Sequence, residues 1–173
     1  MNNFIQNVSK IDISRGHHFD AGENSMLIQI LDPGEDFPIP LYNFKEIHKF
    51  EFLDIEEDGV TNMGDGELTY MGSFAITDEQ AKEIAQLLKH AKENHMNVVV
   101  HCHAGIFRSG AVTEVGVIMG FVDTESFRCP NRLVKQKLLK ALNMPYKNKE
   151  PMTINGKITT LSETEIIFAR NRT

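Results

Sequence analysis

The feature that most constrains this chain is the passage from Val98 to Gly110. Val98-Val99-Val100 is a β-branched run of the kind buried on both faces of a parallel sheet. His101 and Cys102 end it, and Ser109 to Phe121 is then apolar nearly all the way round, which reads as a buried helix. A short loop must therefore carry the chain from a buried strand straight into a buried helix. Such a loop turns successive backbone N–H groups inward, and the helix start adds partial positive charge at the same point.

The remaining patterns alternate in the same way. Met26 to Leu31 reads as a buried strand, punctuated by the turn Asp32-Pro33-Gly34. Phe37-Pro38-Ile39-Pro40 is extended, because each proline disfavours helix at the residue before it. His48 to Asp54 reads as a second strand, with Phe50, Phe52 and Asp54 on one face. Thr77 and Gln80 have capping-box spacing, and Ala81, Ile84, Ala85, Leu88 and Ala91 form the apolar stripe of a helix ending near Asn94. Pro130 suits the first turn of a last helix with Val134, Leu138, Ala141 and Leu142 on its inner face. Strands alternating with helices imply an α/β fold, a three-layer sandwich in which a central, mostly parallel sheet is flanked by helices. Ligands in such folds sit beyond the carboxyl ends of the strands, where both Asp54 and Cys102 fall. The expected organisation is one domain over residues 1–173, with a glycine-rich insertion at about 56–73 and a polar C-terminal tail from about 146.

Composition narrows the setting. The chain has 173 residues, 41% hydrophobic and 24% charged, and no apolar run approaches the ~20 residues of a membrane-spanning helix. The start, MNNFIQNVSKIDIS, lacks the basic and apolar segments of a secretory signal, and two cysteines do not make a disulfide framework. The expectation is a reducing, cytoplasmic setting with no membrane partner. A formal net charge of −6 weighs against nucleic acid, which selects basic surfaces. The most basic stretch, Arg132 to Lys140, reads as the solvated face of a helix. A local pocket can still hold a small anion against the global charge.

The chemistry concentrates in His101-Cys102-His103-Ala104-Gly105-Ile106-Phe107-Arg108-Ser109-Gly110. A cysteine at a helix start beside a cation is stabilised as the thiolate, which serves as both nucleophile and leaving group. Five residues separate Cys102 from Arg108, enough for the loop to curl around a tetrahedral anion. Cys102 then sits beneath its centre and Arg108 closes over two oxygens, where the planar guanidinium fork outperforms a lysine. Residues 103 to 107 (His103, Ala104, Gly105, Ile106 and Phe107) supply backbone donors, and Gly105 permits a positive φ or a close backbone approach. Ser109 can donate its hydroxyl to the thiolate, and His101 orients the loop or tunes the thiolate. His101-Cys102-His103 as a zinc site wants a fourth ligand, and no second Cys/His pair has the usual spacing, so no metal and no cofactor is expected.

These residues resemble the signature of the protein tyrosine and dual-specificity phosphatases: His-Cys, five residues, Arg, then Ser or Thr. The resemblance extends from about Met26 to Leu142, through the ILDPG turn, the FEFLDI strand, the ITDEQAKEIAQLL helix and the PNRLVKQKLL helix, which look like small phosphatases of bacteria and phages. It implies a two-step reaction. The cysteine takes the phosphoryl group, an aspartate protonates the leaving oxygen, and water then hydrolyses the cysteinyl-phosphate. Two positions depart from the pattern: Phe107 replaces a small or polar residue, and Asp54 stands 48 positions before Cys102, with the glycine-rich segment between them.

Asp54, Asp58, Asp65 and Asp78 are the candidate acids. Asp78 follows the helix cap, where an acid suits the dipole in any case. Asp54, on a strand end and matching the family's strand-end aspartate, is preferred, with Asp58 in the insertion next. Cys129 is an ordinary thiol or the partner of a protective disulfide with Cys102. The expected substrate is a phosphorylated protein, carrying phosphotyrosine or phosphoserine/threonine, or another phosphate monoester such as a nucleotide. Two rivals stand beside this reading: a phosphatase-like module that binds phosphoproteins without turnover, and another thiol enzyme such as an arsenate reductase or sulfurtransferase.

Overall fold

A computed structural model describes residues 3–56, 60–62, 68–70, 74–145, 149–154 and 157–162. Its centre is a five-stranded sheet in the order β3-β2-β6-β1-β7, made of β1 (Phe4–Ser9), β2 (Ser25–Leu31), β3 (Glu46–Glu51), β6 (Asn97–Cys102) and β7 (Val122–Asp123). Every ladder in that sheet is parallel. Two separate antiparallel pairs complete the described strands: β4 (Val60–Asn62) with β5 (Leu68–Tyr70), and β8 (Lys149–Ile154) with β9 (Lys157–Ser162).

The side-chain period of 2 sends alternate residues to opposite faces of the sheet. Ile5, Met26, Ile28, Val98 and Val100 meet the inner faces of α2 (Asp78–Glu93), α3 (Arg108–Ile118) and α4 (Arg132–Ala141) in the larger core. Val8, Leu27 and Val99 face the other way and pack with Ile13 of α1 (Lys10–Arg15), Ala21 and the ring of Phe44. The α/β three-layer arrangement is thus as expected, with the layers unequal: three helices on one face, one short helix and its neighbouring loops on the other.

Three local readings need correction. β1 and α1 lie in a stretch where no element was expected. Asn7 is buried in β1 with its amide donating to the carbonyls of Gly105 (2.7 Å) and Phe127 (2.8 Å), so a strand with polar residues is tolerated inside the sheet, between β6 and β7. The second strand stops at Glu51, which leaves Asp54 in the loop beyond it; Leu53 N–H donates to the Phe74 carbonyl there instead of to a strand neighbour. Pro130 precedes the last helix, whose cap is Asn131, and does not lie in its first turn.

Candidate active site

The site grows from the register of the sheet. Ser9 pairs with Cys102, so β1 and β6 end side by side, and the Lys10 backbone N–H donates to the His103 carbonyl (3.2 Å). The loop then turns at Gly105, whose φ is +74. A Cβ on this residue would stand 2.3 Å from the Val8 carbonyl carbon and 2.4 Å from the Ser9 nitrogen, so both the conformation and the space require glycine. The far side is held by the Cys129 N–H on the Ile106 carbonyl (3.2 Å) and the Asn131 N–H on the Phe107 carbonyl (3.1 Å). α3 opens at Arg108 with no capping side chain, which leaves its first N–H groups to the loop's concave side. Phe107 points outward, over a third of it exposed (37%), and His103 and Ala104 are exposed too.

Cys102 is 2% exposed, with its Sγ 3.1 Å from the hydroxyl of the fully buried Ser109. Arg108 is buried as well. Its Nη1 donates to Asp32 Oδ1 at 2.6 Å and to the Phe52 carbonyl at 2.7 Å. Its Nε has no partner among the described residues. One corner of the guanidinium is therefore anchored by the ends of β2 and β3, and the fork keeps an edge with donors to spare.

His101 is fully buried; its Nδ1 lies 3.4 Å from the Cys102 carbonyl and its Nε2 has no partner among the described residues. Burial depresses its pKa to about 4, with the cations Lys10 and Arg108 helping, so the ring is neutral at ordinary pH. Asp54 accepts a hydrogen bond from Asn131 Nδ2 at 2.7 Å. It has an open side toward solvent, yet the protein around its other sides makes charge costly. That desolvation, joined by Glu56 and Asp32, lifts its pKa above the usual carboxylate range against the Asn131 hydrogen bond and the Arg108 charge.

Of the candidate residues, Cys102, Arg108, Ser109, His101 and residues 103 to 107 are gathered on one loop, and Asp54 is brought in through Phe52 and Asn131. Asp58 and Asp65 lie outside the described residues. Asp78 opens α2 directly after its cap Thr77 and pairs with Lys137 (2.9 Å) on the helical face. Neither Cys102 nor Cys129 is in a disulfide. Asp32 and Asn131 went unnoticed as site residues. Asp32 follows the end of β2 as Asp54 follows the end of β3, and Asn131 directly after Pro130 carries a helix-cap signal. A cavity of about 630 Å³ walled by His18, Glu23, Tyr42 and Phe44 lies by the starts of β2 and β3, the end of the sheet away from Cys102. Among the described residues no group of three His, Cys, Asp or Glu could hold a metal, and no helix is long and apolar enough to cross a membrane.

No family model matches the chain. In sequence it is similar to the tyrosine-protein phosphatase Lar of Drosophila melanogaster, 24% identical over 103 residues, which cover 52% of this chain and 4% of that protein. It is 25% identical over 118 residues to the receptor-type tyrosine-protein phosphatase F of Mus musculus and of Homo sapiens, covering 60% of this chain and 6% of each. The chain thus spans a small fraction of the length of these relatives. Solved structures with a likeness include OH1 from the Orf virus, a tyrosine phosphatase (12% identity, TM-score 0.39, 82% of this chain and 70% of that one), and Tk-PTP (12%, 0.38, 98% and 90%). The resemblance drawn from the loop holds: the relatives are tyrosine phosphatases.

Proposed function

We propose that this chain, similar in sequence to tyrosine phosphatases, hydrolyses phosphate monoesters by way of a cysteinyl-phosphate. One observation carries the reading: a cysteine thiol bonded to a serine hydroxyl at a helix start, followed on the same loop by a buried arginine whose Nη1 is anchored and whose Nε has no partner among the described residues.

In the first step the Cys102 thiolate attacks phosphorus, the P–O bond to the leaving group breaks, and Asp54 delivers its proton to the departing oxygen. Asp54 suits this because its raised pKa keeps the acid form at higher pH than an ordinary carboxyl would. Arg108 and the loop N–H groups hold the phosphoryl oxygens, which gather charge in the transition state. In the second step water attacks phosphorus, Asp54 takes the water's proton, and the S–P bond breaks. The returning thiolate is stabilised by the Ser109 hydroxyl. His101, neutral and buried, keeps the strand end in place. Inorganic phosphate leaves. The substrate is a phosphorylated protein, with phosphotyrosine or phosphoserine/threonine as its reacting group, or a smaller monoester. A reducing compartment such as the cytoplasm keeps the thiol available.

The test is hydrolysis of para-nitrophenyl phosphate, in chelator and reductant, by the wild type, Cys102→Ser and Arg108→Lys. Turnover that vanishes in Cys102→Ser and falls at least about 100-fold in Arg108→Lys is expected. A wild type without turnover between about pH 5 and 8, where such an acid and thiolate operate, would exclude it.

A further inference from the structure

We propose that Asn131 is a positioning residue that locks the acid loop to the phosphate loop; this rests on the phosphatase reading above. Asn131 is fully buried and uses both ends of its side chain. Its Oδ1 accepts from the Val134 N–H (3.0 Å) and caps α4. Its Nδ2 donates to Asp54 Oδ1 (2.7 Å) and to the Ile55 carbonyl (3.1 Å). Its backbone N–H donates to the Phe107 carbonyl (3.1 Å), one residue before Arg108. A single residue at a helix start is therefore bonded to the carboxyl that gives the proton and to the loop that holds the phosphate.

A capping asparagine needs only its oxygen. The amide nitrogen is surplus to the cap, and here both its hydrogens serve the segment of Asp54 and Ile55. Asp54 lies outside any strand, so it has no ladder to fix it, and the Asn131 amide supplies the constraint. The geometric demand is strict, because a misplacement of ~1 Å at a reacting group can cost ~100-fold in rate. Oriented toward Oδ1, the amide also favours the carboxylate form; Arg108 acts in the same sense, and Glu56 and Asp32 act against it.

Two variants keep the cap and remove the donor: N131S and N131D, both good helix caps. Each is assayed on para-nitrophenyl phosphate, whose leaving group departs readily, and on phenyl phosphate, which needs the acid. Expected is a loss of about 10- to 100-fold in kcat on phenyl phosphate with a much smaller loss on the nitrophenyl ester. The alkaline limb of the pH profile, where the acid loses its proton, should move to higher pH in both. The N131D limb moves further, since a second carboxyl then faces Asp54. Melting temperature is measured alongside. Equal losses on both esters with an unmoved alkaline limb would reduce Asn131 to a structural cap and overturn the inference while the phosphatase reading stands. A wild type with no Cys102-dependent turnover would remove both together. Should N131S fail to fold, the isosteric N131D decides by whether its loss on phenyl phosphate exceeds its loss on the nitrophenyl ester.

Discussion

At position 54 two influences compete, and the balance sets a measurable pH. Burial penalises the Asp54 carboxylate more than Asn131 and Arg108 stabilise it, so the proton is held to higher pH than usual. A reaction that uses this proton loses rate as pH rises through that raised value. Asp54→Asn should therefore slow phenyl phosphate hydrolysis about 100-fold or more and erase the alkaline limb, while Asp58→Asn leaves both in place. The reverse result would move the acid into the insertion. His101 gives a different signature. Its folded pKa of about 4 lies below the 6.5 of the unfolded side chain. The unfolded state thus binds the proton first, and the stabilisation is complete above pH 6.5 and lost as pH falls toward 4. The gap amounts to about 3 kcal/mol by linkage. His101→Asn should flatten the fall of stability between those pH values, as followed by urea unfolding at each pH. An identical pH dependence in wild type and variant would mean that the fold leaves the His101 pKa at its unfolded value.

At the scale of elements, what was legible depended on whether the chemistry was local. The strand–loop–helix of Cys102 and Arg108 could be read because glycine, spacing and apolar flanks all sit within one stretch of sequence. α2 could be read from its cap pair and stripe. β1 could not, because Gln6 and Asn7 interrupt its apolar pattern, and their hydrogen-bond partners at Phe19, Gly105 and Phe127 lie outside the strand. Asn131 escaped for the same reason: its cap role is local, and its hold on Asp54 spans 77 positions. α4 then carries more than its own packing. Val134, Leu138 and Leu139 bury its inner face against the larger core. Leu138→Ala should cost about 2–5 kcal/mol in urea unfolding. Because the N-cap of this helix is tied to Asp54, phenyl phosphate turnover should fall in that variant more than nitrophenyl phosphate turnover does. A stability loss with both esters affected alike would mean that the start of α4 holds its position without the packing behind it.

Taken as a whole, the molecule places every residue of the proposed site before Pro145. The five-stranded sheet, its two cores, the cysteine loop, Asp32, Asp54 and Asn131 are all complete by that point. Leu142 and Met144 pack on the larger core and close it. β8 and β9 pair with each other and with no strand of the central sheet. The negative charge of the chain adds nothing to phosphate capture, so affinity has to come from the loop and Arg108, which are likewise upstream. A chain stopped after Pro145 should therefore unfold in a single transition, with a melting temperature within about 3 °C of the full chain, a change of about 1 kcal/mol at this size. Its Cys102-dependent turnover of a small ester should be unchanged. A truncated chain that aggregates or loses the transition would make the C-terminal strands part of the folding unit. A stable one that loses only turnover of a phosphopeptide, and keeps the small ester, would assign them to substrate binding.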